Sequence, residues 1–247
     1  MKPNKILDIT IPEQSKSDIL EKIIKYIKLS NNFCHIVSIN PENIVIAHEN
    51  HMFKKVIETA QIKIIDGVGI VLAGRLLNIR LERFSGVDLM EKLIDLASNM
   101  RLRVLLIGGK PNLALNLADC YSKKFPKAKF VGLTGIKDIK NPSIEEEKNI
   151  FSIVTVNKPH LVFVAFGSPD QELWIERHKK KFKNSVIMGV GGGFDYHSGK
   201  IKRAPHFLRN LGLEWFYRLV NQPWRFKRQL RLIKFVKLLI VQKWIKN

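Results

Sequence analysis

The sequence predicts an α/β fold: a doubly wound, mostly parallel sheet followed by a basic helical C-terminal appendage. Three observations carry this reading. Short apolar runs alternate with longer segments of helical period. Most of those runs are too apolar to be half-exposed, as expected of strands covered on both faces. After about residue 200 the strand signal stops and the composition turns strongly basic. Strand and helix in alternation give parallel pairing with crossover helices, the Rossmann-like arrangement.

Taken in order, a helix is expected over residues 17–30, then the strand FCHIVSIN at 33–40 and a helix over 43–59. The strand KIID at 63–66 leads into a helix over 68–77, and another follows over 87–99. RVLLIGG at 103–109 reads as a strand, and Pro111 marks the start of a helix over 111–125. KFVGLTG at 129–135 is the next strand, and Ser143 caps a helix over 143–157. HLVFVAFG at 160–167, a helix over 170–182 and SVIMGVGG at 185–192 complete the core. Residues 1–199 therefore form the α/β core and 200–247 the appendage, without an internal repeat or a low-complexity linker.

With 247 residues the chain is long enough to bury a large core. It carries 42 Lys and Arg against 22 Asp and Glu, a net charge of +20. Such a surplus favours an anionic partner: nucleic acid, an anionic membrane surface or a phosphorylated ligand. Residues 200–247 hold thirteen of the bases and one acid, Glu214. On a helical wheel from Phe226, the residues Phe226, Leu230, Ile233, Ile240, Val241 and Trp244 share one side. Lys227, Arg228, Arg231 and Lys234 cluster on the other, and Phe235, Lys237 and Leu238 break the pattern. That mixture suits a helix lying in a lipid headgroup layer, or a terminal helix docked on the core with its basic side in water.

Cys34 and Cys120 lack metal-type spacing and read as buried thiols in a reducing compartment. The N-terminus has no apolar segment of signal-peptide length, and no apolar run approaches the ~18 residues of a membrane span. The expected location is the cytoplasm, or a membrane surface that the chain does not cross.

Ligands of open α/β sheets bind beyond the carboxyl ends of the strands. Five such ends carry small or polar residues: Ser38 and Asn40, Asp66-Gly67, Gly108-Gly109, Gly167-Ser168-Pro169, and Gly191 to Asp195. Glycines there admit backbone N–H groups to a phosphate, and a helix start favours negative charge. One such glycine alone is a tight turn; five ends together point to a shared phosphate-bearing ligand. No dinucleotide GxGxxG or GxxxxGK[ST] pattern is present, which weakens an oxidoreductase reading. Asp66 is a helix cap or a base that takes a proton from a sugar hydroxyl. Gln171 and Glu172, after Gly-Ser-Pro, are capping groups or pocket groups, and Asp195 belongs near the pocket. DxD, HExxH and Cys/His clusters are all missing, so no metal is expected and no cofactor is called for beyond the sugar donor.

DGVGIVLAGRLL, GSPDQELWIERH, GVGGGFDYHSGKIKRAP and GLEWFYRLVNQPWRFKR, in that order, resemble the WecG/TagA/CpsF glycosyltransferases over about residues 33–230. The resemblance implies transfer of an N-acetylmannosamine-type sugar from a UDP donor to N-acetylglucosamine on polyprenyl diphosphate. The implied setting is the inner face of the bacterial plasma membrane, in surface polysaccharide or teichoic acid synthesis. It implies Asp66 as the base and Gln171 as a substrate-binding residue. It also implies Arg218, Arg225 and Arg228 as ligands of the lipid diphosphate. The family's Thr-x-Asn falls on Ser38-Ile39-Asn40, keeping the hydroxyl and losing the methyl. The turn GLTGIKD departs from the family pattern. An inverting, metal-free transfer follows, with Asp66 on the acceptor side and glycine turns and arginines on the departing diphosphate. The competing class is a basic nucleic-acid binder, which explains the tail but not Asp66 or the strand-end glycines.

Overall fold

The computed structural model describes residues 4–29, 32–223 and 226–245. Six strands form one all-parallel sheet. In chain order they are β3 (Cys34–Ile39), β4 (Ile62–Ile65), β5 (Arg103–Gly108), β6 (Lys129–Leu133), β7 (Leu161–Ala165) and β8 (Val186–Gly189). Their spatial order is β4-β3-β8-β7-β5-β6, and every neighbouring pair is parallel, as the alternation of the sequence predicts. β1 (Lys5–Ile6) and β2 (Ile9–Thr10) make a separate small hairpin that the sequence reading missed. Its turn uses Leu7 and Asp8 at φ 45° and 65°. Neither is the glycine or asparagine that normally announces such a turn.

The strands are apolar on both faces because both are covered. Ile36, Ile64, Val104, Leu106, Phe163 and Met188 enter one core with α1 (Lys16–Lys28), α5 (Gly86–Asn99) and α6 (Leu113–Lys124). Opposite them, Val37, Ile39 and Ile65 pack with α2 (Pro41–Glu49), α3 (His51–Thr59) and α4 (Val68–Leu76). On that same face Leu105, Ile107, Val162, Val164 and Ile187 meet α7 (Ile144–Asn157) and α8 (Asp170–Arg177). This is the alternation of a pleated strand between two helical layers.

The helix expected over 43–59 is in fact two. Asn50 ends α2 and caps α3, accepting the Phe53 N–H at 3.0 Å, with an extended backbone that a helix interior excludes. The segment 170–182 likewise divides into α8 and a 3-10 turn, Lys179–Phe182. The helix expected from Pro111 starts at Leu113, after Asn112 in a left-handed conformation. Ser143 caps α7 through a reciprocal capping box with Glu146. Cys34 is buried, and burial pushes its thiol up to about 12; Cys120 is exposed, against the expectation that both would be buried.

Beyond β8 come α9 (Gly193–His197), α10 (His206–Asn210), α11 (Glu214–Asn221) and α12 (Phe226–Ile245). The last two breaks fall at Gly212 and around Pro223. α12 lies against α2. Phe235 (2% exposed) and Leu239 (6%) enter the core beside Ile44 and Ile46. Gln242 accepts the Leu7 N–H at 2.8 Å and donates to the Lys5 carbonyl at 3.1 Å. On the basic side, Arg231 pairs with Glu42 at 2.6 Å and Lys234 pairs with Glu49, each remaining about half exposed. The apolar stripe faces outward, with Phe226 61% and Trp244 80% exposed. Docking thus uses residues that broke the wheel pattern, Phe235 and Leu238, and leaves the apolar side uncovered. No described helix is long and apolar enough to cross a membrane.

Candidate active site

The parallel register sets Asp66 beside Asn40. Ile39 pairs with Ile65, and the Asp66 N–H donates to the Ile39 carbonyl at 2.9 Å. The chain then turns into α4 hard against the start of α2. A Cβ on Gly67 would lie 2.9 Å from Pro41 Cδ, and one on Gly69 2.7 Å from Pro41 Cγ. Real Cβ atoms do not approach so closely, so the glycines of DGVG are a packing requirement that fixes where Asp66 ends up.

Asp66 is partly buried, and its Oδ1 accepts the Gly86 N–H at the start of α5 at 3.1 Å. Burial raises its carboxyl to about 6 from an ordinary 3.8. The Gly86 hydrogen bond and the positive charges of Arg218 and Arg83 oppose the rise, while Glu214 adds to it. The group is thus ionised at neutral pH yet basic enough to take a proton. Ser38 Oγ and Asp66 Oδ2 flank the same spot, 3.5 and 3.6 Å from where a Cβ on Gly86 would sit. Asn40 caps α2, accepting the Asn43 N–H at 2.8 Å.

Asn43, which the sequence reading passed over, is buried between two strand ends. Its amide donates to the Ser38 carbonyl at 2.9 Å and its oxygen accepts from Ser168 Oγ at 3.0 Å. Gln171 plays a similar bracketing part. It is buried, and its Oε1 accepts the N–H groups of Gly167 at 3.0 Å and Gly191 at 3.1 Å, joining the turns after β7 and β8. Its Nε2 donates to Glu172 Oε1 at 2.7 Å. Glu172 is buried beside it, and desolvation pushes its carboxyl up to about 7. Gln171 thus serves the turns and Glu172; neither polar end faces open solvent.

Gly108 (φ 90°) and Gly109 (φ 84°) make the turn after β5, with the Gly109 N–H on the Ala165 carbonyl at 2.9 Å. Asp195, in the first turn of α9, pairs with Lys110 of that turn at 3.3 Å. All these residues lie at the carboxyl ends of parallel strands, where the topology places a ligand.

The tail closes over this edge. Gly212 packs so tightly on Val68 that an added Cβ would stand 2.7 Å from its Cγ2. Leu232 Cδ1 of α12 comes within 3.9 Å of where a Cβ on Gly69 would lie. Arg218 of α11 donates to the Tyr196 hydroxyl, and its guanidinium stands 4.4 Å from the centre of the Tyr196 ring. Arg225 lies outside the described residues, as does the side chain of Arg228. No three His, Cys, Asp or Glu side chains group as a metal cage among the described residues.

A parallel sheet with a basic carboxylate at its carboxyl edge, glycine turns beside it and an arginine carried in by the tail is equipped for group transfer from an anionic donor. Residues 4–247 match the model of the Glycosyl transferase WecG/TagA/CpsF family. The chain belongs to that family and is a glycosyltransferase. It is 33% identical over 201 residues to the N-acetylglucosaminyldiphosphoundecaprenol N-acetyl-beta-D-mannosaminyltransferase of Bacillus subtilis strain 168, covering 81% of this chain and 76% of the relative. The protein of the same name from Bacillus spizizenii is 31% identical over 207 residues, covering 83% and 78%.

Proposed function

We propose that this glycosyltransferase moves an N-acetylmannosamine-type sugar from a UDP donor to N-acetylglucosamine carried on polyprenyl diphosphate, with inversion and without a metal. The acceptor and sugar follow the names of the two Bacillus relatives. The observation that carries the mechanism is the raised carboxyl of Asp66, held by the Gly86 N–H at the sheet edge beneath the tail. Asp66 takes the proton of the acceptor hydroxyl as that oxygen bonds the anomeric carbon. The bond from that carbon to the donor diphosphate oxygen breaks, and UDP departs with the electron pair. Attack opposite the leaving group inverts the centre.

Ser38, Asn40, Gly108, Gly109 and Asp195 surround the donor, and Gln171 shapes its pocket through the turns that it joins. The helix starts at the carboxyl edge of the sheet favour the departing negative charge. Arg218, with Arg225 and Arg228, takes the lipid diphosphate, where a planar guanidinium suits paired phosphate oxygens. The outward stripe of α12 and the exposed Phe207, Leu211, Trp215, Phe216 and Val220 of the preceding helices enter an anionic bilayer surface. The inner face of the plasma membrane is therefore the working location. A nucleic-acid reading loses ground, since Arg231 and Lys234 are already paired with acids of α2.

The test is incubation of the full chain with a short-chain prenyl-diphosphate-GlcNAc and a panel of UDP-sugars, with and without chelator. The expected product is a disaccharide formed from UDP-N-acetylmannosamine at a rate indifferent to chelator. No transfer from any UDP-sugar overturns the donor assignment, and a strict requirement for Mg²⁺ overturns the metal-free step.

A further inference from the structure

Glu214 is the one acid between Lys200 and Asn247, and the structure uses both of its oxygens. Its side chain is 13% exposed. Oε2 accepts from Arg83 Nη2 at 2.9 Å, and Oε1 accepts from Arg203 Nε at 3.3 Å. Arg83 also donates from Nη1 to the Arg209 carbonyl of the tail at 3.3 Å. Arg203 continues inward, donating to Asp88 Oδ1 at 2.6 Å and to Ser85 Oγ at 3.1 Å. Ser85 is the N-cap of α5: its Oγ accepts the Asp88 N–H at 3.2 Å and donates to Asp88 Oδ2 at 2.5 Å. The next residue is Gly86, whose N–H holds Asp66. One polar chain therefore runs from the tail to the candidate base.

α11 adds a second link. Glu214 begins this helix and Arg218 lies one turn further along the same face, where it meets Tyr196. Fixing Glu214 between Arg83 of the core and Arg203, at the root of the tail and itself tied to Asp88 and Ser85, sets the rotation of α11, and that rotation aims Arg218. An acid placed among thirteen bases is also a strong registration device, because other seatings of so cationic a tail on Arg83 are repulsive.

We infer that Glu214 is a positioning residue: its paired contacts with Arg83 and Arg203 latch the tail shut, so that Arg218 and the Gly86-held Asp66 are brought to one acceptor together. The inference rests on the proposed acceptor for its kinetic consequence and on geometry alone for the latch. The turns of the donor side have their own supports, Gln171 after β7 and β8 and Asn43 at Ser38 and Ser168.

The test compares full-length Glu214→Gln, Glu214→Asp, Arg83→Gln and the Arg83→Gln/Glu214→Gln double variant, using vesicle-borne prenyl-diphosphate-GlcNAc and free UDP. Glu214→Gln is expected to lower kcat/KM for the acceptor roughly 30-fold or more, since Arg83 loses its carboxylate and Arg203 keeps only Asp88. UDP affinity stays unchanged by calorimetry, and proteolytic cleavage within residues 200–223 accelerates. Glu214→Asp, which keeps the charge, recovers part of both effects, and the double variant loses no more than the worse single one. Wild-type acceptor kinetics with wild-type cleavage in Glu214→Gln overturns the latch, as do fully additive losses in the double variant. If the wild-type enzyme transfers no sugar to this acceptor, the proposed reaction fails; the cleavage rates still decide the latch.

Discussion

Asp66→Asn is expected to cut transfer by about 10² to 10⁴, the usual contribution of a positioned base. Asn keeps the size of the side chain and an oxygen for the Gly86 N–H, so the geometry survives while the proton acceptor is lost. The same substitution is expected to stabilise the protein at neutral pH. The folded-state carboxyl titrates near 6, above its ordinary 3.8, so the native protein holds a proton that the unfolded chain has released in that window. Stability associated with the protonated group is complete below pH 3.8 and is lost as pH rises through about 6. At pH 7 the ionised carboxylate therefore costs the fold on the order of 2 kcal/mol, which Asn relieves. Thermal unfolding at pH 7 should show a higher Tm for the variant, with little difference at pH 4. A variant that turns over normally removes Asp66 as the base; one that is also less stable at pH 7 removes the account of its environment.

The second large effect belongs to the outward stripe of α12. Leu230, Ile233, Val241 and Trp244 face away from the core, so replacing all four with Ser leaves packing on α2 intact. Each partly exposed side chain is worth ~1 kcal/mol on entering an apolar layer, and four together give on the order of a 10³-fold loss of vesicle partitioning. Flotation with anionic vesicles should show that loss at unchanged Tm, with a matching loss of transfer to vesicle-borne acceptor. A quadruple variant that floats as the wild type does would remove α12 as the docking element. Deleting residues from 200 onward is a poorer experiment, because it also removes Phe235 and Leu239 from the core.

The parallel sheet was legible because strands buried on both faces leave an uninterrupted apolar signal, as in RVLLIGG and HLVFVAFG. Asp66 was legible as a lone carboxylate ending such a run. What escaped depends on partners distant in sequence. Glu214 lies 131 residues from Arg83 and Arg203 lies 115 from Asp88, so no local pattern links them. The SGVD stretch at 85–88 did carry a capping signature, and with it a pointer to Gly86. Asn43 looked like an ordinary first-turn residue, and only the fold sets it between two strand ends. In α12 the mismatched Phe235 and Leu238 were the useful signal, since a helix with two apolar sides has two surfaces to satisfy.

The claim on which the rest depends is that the Asp66 carboxylate takes the acceptor proton, and the pH dependence of kcat/KM tests it most directly. On a lipid-linked acceptor at fixed vesicle composition, the rate should climb through an acid limb centred near pH 6 and level off above it, because only the ionised form is a base. The residual rate of Asp66→Asn should lack that limb. A wild-type profile flat from pH 5 to 8, or the same limb surviving in Asp66→Asn, would contradict the account.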